Sequence, residues 1–133
     1  MSAQNNTPWR GVVPLLQVSD LPETLNYYQE VLGFGVDFCW PDEDAPKWAM
    51  ASRLGVSFMF TIDLGTSSGP FIAEKGNGVV FYIVTKEIEA LYEELAAKGA
   101  IIAQEIIAYG DRRQFSIADP NGYVITFSEP FMG

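Results

Sequence analysis

The chain has 133 residues, 48% hydrophobic and 19% charged, with 8 Lys+Arg against 17 Asp+Glu for a formal charge of −9, no histidine and one cysteine. This length suits one domain, and the acidity argues against a nucleic-acid partner, whose phosphates it would repel. Without histidine there is no Ser-His-Asp or Cys-His nucleophilic site and no His-based zinc or iron centre, and Cys39 alone supports neither an intramolecular disulfide nor a thiolate cluster.

Residues 12–18 (VVPLLQV) predict a first strand. Ser19-Asp20 offer a helix cap, with Glu23 placed as in a capping box. Leu21, Leu25, Tyr28 and Leu32 then recur at helical spacing, and Gly33 supplies a left-handed stop. Stretches 34–40 (FGVDFCW), 47–53 (KWAMASR) and 56–62 (VSFMFTI) predict three strands separated by turn residues. After GTSSGP (65–70) and GNG (76–78) the order restarts with a strand at 79–84 (VVFYIV). Thr85 is the expected cap of a second helix carrying Ile88, Leu91, Tyr92 and Leu95 and ending at Gly99. Strands at about 101–107, 112–118 and 123–128 complete the chain. No apolar run is long enough to span a bilayer, and the polar start MSAQNNTPWRG lacks the order of a secretory signal, so no membrane partner and a cytoplasmic location are expected.

The halves repeat. A shift of 66 residues places Val18 on Val84, Ser19 on Thr85, Leu25 on Leu91 and Gly33 on Gly99, and one further residue places GVSFMF (55–60) on GYVITF (122–127). The expected fold is α+β, two tandem βαβββ modules over 12–64 and 78–129 within a single domain of 1–133. One helix does not bury both faces of a four-stranded sheet, so the second face must meet its twin or enclose something.

The segments VVPLLQVSDLPETLNYYQEVLGF (12–34), VTKEIEALYEELAAKGA (84–100) and FSIADPNGYVITFSE (115–129) together resemble the vicinal oxygen chelate superfamily. That superfamily includes glyoxalase I, extradiol dioxygenases and bleomycin resistance proteins. The resemblance implies cup-shaped mixed sheets. In its metal-using members, side chains from the first and last strands of each module converge on one ion. Matched onto this chain, those positions are Val13, Met59, Val79 and Thr126. Two valines, a thioether and a hydroxyl are no donor set for a divalent cation. What remains resembles the metal-free bleomycin resistance branch, and implies a homodimer that sequesters a small molecule in apolar clefts, with no metal, no cofactor and no catalytic residue. The expected ligand is aromatic or amphipathic, and a cationic group on it would suit the acidic chain. With those positions, strand alternation sends Val13, Leu15, Met59, Val79, Phe81 and Thr126 to the cup face and leaves Leu16, Val18, Phe58, Phe60, Ile125 and Phe127 under the helices.

Trp40 and Trp48 flank PDEDAPK (41–47). They form either an aromatic, acidic mouth for a planar ligand or core residues beside a solvated loop. Tyr109, Arg112 and Arg113 precede the penultimate strand, near the expected cleft entrance. Arg113 either binds an acidic ligand group or pairs with Glu105, Asp111 or Asp119. Phe115 matches Trp48 at an offset of 67 and is a further candidate lining residue, although core placement is the commoner fate of such a residue. Asp119-Pro120-Asn121-Gly122 has the composition of a turn, and Cys39 reads as a small buried hydrophobe. Two rival readings remain open. One is an enzyme without the histidine metal site, using Tyr82 or Tyr109 with Asp37 or Asp63. The other is an interaction module whose cups are filled by its own side chains.

Overall fold

The order β-α-β-β-β occurs twice in the computed structural model, which describes residues 6–62 and 78–131. The first module comprises β1 (Leu15–Gln17), α1 (Leu21–Asn26) continued by a π-helical turn (Tyr27–Val31), β2 (Gly35–Trp40), β3 (Trp48–Arg53) and β4 (Val56–Thr61). The second comprises β5 (Val80–Val84), α2 (Ile88–Ala97), β6 (Ile101–Tyr109), β7 (Arg112–Ala118) and β8 (Val124–Ser128). Each forms a mixed four-stranded sheet, ordered β1-β4-β3-β2 and β5-β8-β7-β6, with its first strand parallel to its last. The GTSSGP segment and most of GNG lie outside the described residues. No helix among the described residues is long and apolar enough to cross a membrane.

Local chemistry sets the element ends. Asp20 accepts the Glu23 N–H at 3.0 Å and starts α1, as its capping position predicts. The expected Thr85 cap is displaced. α2 begins only at Ile88, and the Thr85 hydroxyl accepts the Glu87 N–H at 3.4 Å in the preceding bend. β1 is shorter than its apolar run because Pro14 has no N–H to donate; its carbonyl accepts from Met59 at 2.8 Å, and the ladder starts there.

The residues expected under the helices are there: Leu16, Val18, Phe58, Phe60, Ile125 and Phe127 are all buried. Tyr28 packs its ring at 4.7 Å from Phe60 and 5.9 Å from Phe58, while Tyr92 meets Phe115 edge-on at 5.2 Å and Phe115 stacks on Phe127. Phe81 joins the halves by an edge contact with Phe58 at 5.5 Å, and both modules contribute to one buried cluster.

Hydrogen bonds tie α1 to the Asp119–Gly122 turn of the second module. The Tyr28 hydroxyl donates to Asp119 Oδ2 at 3.0 Å, and the backbone N–H groups of Asn121 and Tyr123 donate to Oδ1 at 2.8 and 2.9 Å. Tyr27 donates to the Ala118 carbonyl and accepts from the Ile101 N–H, Asn121 donates to the Thr24 hydroxyl, and Tyr123 donates to the Gln17 carbonyl. The turn predicted from sequence is therefore also the joint between modules. Burial pushes the Asp119 carboxyl up from its ordinary range, against the opposing pull of these donors. At the pseudo-equivalent place, Arg53 at the end of β3 forms a forked pair with Glu94 of α2 at 3.0 and 3.1 Å and also donates to the Leu32 carbonyl at 2.7 Å.

The repeat offset changes along the helix. Val18 and Thr85 donate to the equivalent carbonyls of Thr61 and Ser128, and the N-caps are Asp20 and Glu87, both pairs 67 apart. The positive-φ glycines that follow the helices, Gly33 and Gly99, are 66 apart. α1 and its continuation thus hold one extra residue. It is absorbed where Leu32 reaches back to the Tyr27 carbonyl and Phe34 to that of Tyr28, at 3.1 and 2.8 Å. The opening strands therefore align at 67, so Leu15 corresponds to Tyr82 rather than Phe81.

Tyr28→Phe leaves a buried carboxylate without one of its donors and is expected to cost about 1–3 kcal/mol, read as a lower denaturant midpoint at unchanged slope. Glu129 is held below the ordinary carboxylate range by the Arg113 side chain. Its contribution is present above the unfolded value of about 4.3 and is lost as pH falls through the lower folded value. Melting curves of Glu129→Gln should lie below the parent at neutral pH, with the gap closing as pH is lowered towards about 3.

Candidate functional site

The helices and the core occupy one face of each sheet, and the opposite, outer faces are the ones expected from the sequence to form the cup. In the first sheet the register pairs Leu15 with Met59, Met59 with Met50, Met50 with Phe38, and Trp48 with Trp40. Because paired residues share a face and Ala49, Ala51, Phe58 and Phe60 point to the core, these side chains lie outward. Leu15 is 42% exposed, Phe38 64% and Trp40 62%. This is a continuous apolar and aromatic surface rather than scattered exposed hydrophobes.

The second outer face has a different chemistry. Tyr82 pairs with Thr126 and Thr126 with Ser116, while Val84 pairs with Ser128 and Ser128 with Gln114. Ser116 and Thr126 share a 2.7 Å hydrogen bond, Gln114 donates to Gln104 at 3.1 Å, and Arg112 donates to both Gln114 and Ser128. Val80, Tyr82 and Val84 are about half exposed along the edge strand. Tyr82 lies 5.8 Å from the Phe131 ring.

The structure places the expected site residues unevenly. Leu15, Trp40, Trp48 and Met59 share the first outer face, and Thr126 lies on the second, where it is buried beneath its neighbours. Val13 and Val79 are exposed just ahead of β1 and β5. Tyr109 is exposed at the β6–β7 hairpin beside Arg112. Phe81 is turned inward, because β5 aligns with β1 at an offset of 67 rather than the 66 of the helix ends, which puts Tyr82 outside. Phe115 is fully buried between Tyr92 and Phe127, since it pairs with inward-facing Phe127. Arg113 points to the helix side and pairs with Glu89 of α2 and Glu129, not with Glu105, Asp111 or Asp119. Phe38 and Met50 are outer-face residues that sequence reasoning passed over, while Tyr82 and Arg112, considered there only for a catalytic alternative and as a neighbour of the cleft entrance, also face outward. The register of Thr126 with its parallel neighbour was the signal for Tyr82, and it is visible only once the strands are paired.

The acidic loop does not build a rim for the tryptophans. Asp42 accepts the N–H groups of Asp44 and Ala45, both at 2.9 Å, while Glu43 and Asp44 line a cleft of about 530 Å³ against α1. Cys39 is half-buried in the same cleft, and burial and the nearby Glu43 raise its thiol pKa, which favours the neutral form. A second cleft, about 320 Å³, lies between the β3–β4 turn and α2. Its pseudo-equivalent is filled, because Tyr123 and Tyr27 stand where the cleft has Val56 and Glu94. Both clefts are on the helix side.

A divalent cation does not fit the outer faces. The corrected register puts Val80 where Val79 was matched, so the four family positions become Val13, Met59, Val80 and Thr126, still without a carboxylate, imidazole or thiolate. Among the described residues no group of three His, Cys, Asp or Glu is placed to hold one.

The comparisons agree with this architecture. A crystal structure of a glyoxalase/bleomycin resistance protein/dioxygenase from Nocardioides matches with a TM-score of 0.71 at 22% identity, over 96% of this chain and 89% of that one. TnmS3, an antibiotic binding protein from Streptomyces sp. CB03234, matches with a TM-score of 0.71 at 21% identity, over 94% of this chain and 99% of that one. A glyoxalase-related enzyme from Fulvimarina pelagi matches with a TM-score of 0.72 at 18% identity, over 92% and 89%. No curated protein matches the sequence. The fold thus serves both binding proteins and enzymes, and identities this low carry the fold alone. The model of the Glyoxalase/Bleomycin resistance protein/Dioxygenase superfamily matches residues 12–127, nearly the whole chain with both modules, and the protein belongs to that superfamily.

Proposed function

We propose that this protein binds a small aromatic or amphipathic molecule on its outer sheet faces without a metal, and acts by sequestration rather than turnover. The observation that carries this reading is the exposed apolar surface formed by Leu15, Phe38, Trp40, Trp48, Met50 and Met59. Such a surface is costly to leave in water and suited to a planar apolar ligand. The side chains paired across the outer faces, Leu15, Met50, Met59, Ser116 and Thr126 among them, offer alkyl groups, thioethers and hydroxyls rather than a carboxylate or imidazole base, which supports binding over acid-base chemistry. That TnmS3, which shares the fold, is an antibiotic binding protein supports the same reading.

The working unit in this proposal is a homodimer. Among the described residues the first outer face is exposed and the second is half-exposed along Val80, Tyr82 and Val84; pairing of two copies about a two-fold axis would cover these surfaces, so that an aromatic face meets a polar one across the ligand. Val13, Val79 and Tyr109 lie at the ends of the strands that would frame the cleft.

Tryptophan fluorescence titrated with a panel of aromatic drugs, bleomycin included, is expected to change for at least one compound, and Trp40→Ala should weaken that binding about tenfold. No response to any compound would favour a surface covered by its own dimer. Sedimentation at micromolar concentration should give twice the 14.7 kDa chain mass, and a monomer would sink the paired arrangement. A stoichiometric metal ion in the purified protein would overturn the metal-independent reading.

A further inference from the structure

Arginines that are half-buried in an acidic protein ordinarily meet carboxylates, because a partly desolvated cation without a counter-charge is unfavourable. Arg53 meets Glu94, and Arg113 meets Glu89 and Glu129. Arg112 is the exception. Half-buried at the end of the second outer face, it has no carboxylate within ion-pair distance among the described residues, in a chain with 17 acidic side chains.

Neutral groups nevertheless hold it in place. Its Nη1 donates to Gln114 Oε1 at 2.8 Å and Ser128 Oγ at 2.6 Å, and the Gln114 amide is itself fixed by donating to Gln104 at 3.1 Å. The guanidinium lies 4.6 Å from the centroid of the Phe131 ring and 5.8 Å from that of Tyr109. Among the described residues, Nε and Nη2 donate to nothing, so one edge of the planar fork is orientated, flanked by aromatic rings and unused. Such an edge matches two oxygens of a carboxylate, sulfonate or similar anion, and losing little side-chain freedom on binding raises its selectivity.

We infer that Arg112 is an anion-binding residue of the ligand site, and that the ligand is an aromatic or amphipathic molecule carrying an anionic oxygen group rather than a cationic one. This rests on the proposal that the outer faces bind a ligand. The rings of Tyr82 and Phe131 would take the apolar body, leaving the anion at the free edge of Arg112. General electrostatics does not supply the preference, since a net charge of −9 repels anions from the surface as a whole.

Two fluorescent probes with the same naphthyl and phenyl rings test it. These are 1-anilinonaphthalene-8-sulfonate, which is anionic, and N-phenyl-1-naphthylamine, which is neutral. The full chain is expected to bind both, and Arg112→Gln should weaken sulfonate binding about tenfold while leaving the neutral probe within about twofold. Arg112→Lys keeps the charge without the fork and should fall between, which also covers a Gln variant that fails to fold. If both probes bind the parent and Arg112→Gln weakens them equally or not at all, the Arg112 assignment is overturned while the binding face stands. If neither probe binds the parent, the binding face and this assignment fall together.

Discussion

The joint between Tyr28 and Asp119 is the constraint on which the rest of the structure depends. A buried carboxylate is tolerated only when its oxygens are satisfied, and here the donors come from both modules: the Tyr28 hydroxyl from one, and the Asn121 and Tyr123 backbone from the other. Satisfying Asp119 thus requires α1 to dock on the turn between β7 and β8. Once docked, both helices and both inner faces belong to one core, and among the described residues no helix is left to cover the first outer face. The exposed aromatic surface follows from how the core closes.

The two outer faces have diverged within a repeated scaffold. Where the first sheet places Met59 and Met50, the second has Thr126 and Ser116 bonded to one another, and where the first has Trp48 the second has a glutamine that orientates Arg112. The first face offers dispersion and ring stacking, and the second offers directional hydrogen bonds. The joints have diverged as well. Tyr27 and Tyr123 fill one inter-module crevice, while at the equivalent place Glu94 pairs with Arg53 and a cleft remains.

Much of the fold was legible because its signals are local. Asp20 caps α1, Gly33 and Gly99 adopt positive φ after the helices, Pro14 stops a ladder, and Asp119-Pro120-Asn121-Gly122 turns. The site was less legible because it depends on strand register. The extra helical residue is invisible in the apolar stripe, since Leu21, Leu25, Tyr28 and Leu32 are buried whether or not the last turn widens. Because of it, the offset read from the helices does not carry over to the opening strands, where Phe81 faces inward and Tyr82 outward. Whether Arg112 or Arg113 faces outward is likewise a matter of pairing, since adjacent strand residues face opposite ways and only the pairing of β7 with β8 says which is which.

By itself the sequence determined that there is no histidine chemistry, that the chain is a duplicated βαβββ fold, and that Leu16, Val18, Phe58, Phe60, Ile125 and Phe127 form its inside. Composition, period and caps are properties of neighbouring residues along the chain. Only the tertiary structure decided that Phe115 is core, that Arg113 clamps α2 to the residue after β8, and that Arg112 stands outward without an acidic partner among the described residues. Those outcomes depend on which strand lies beside which and in what register, and long-range hydrogen bonding sets both.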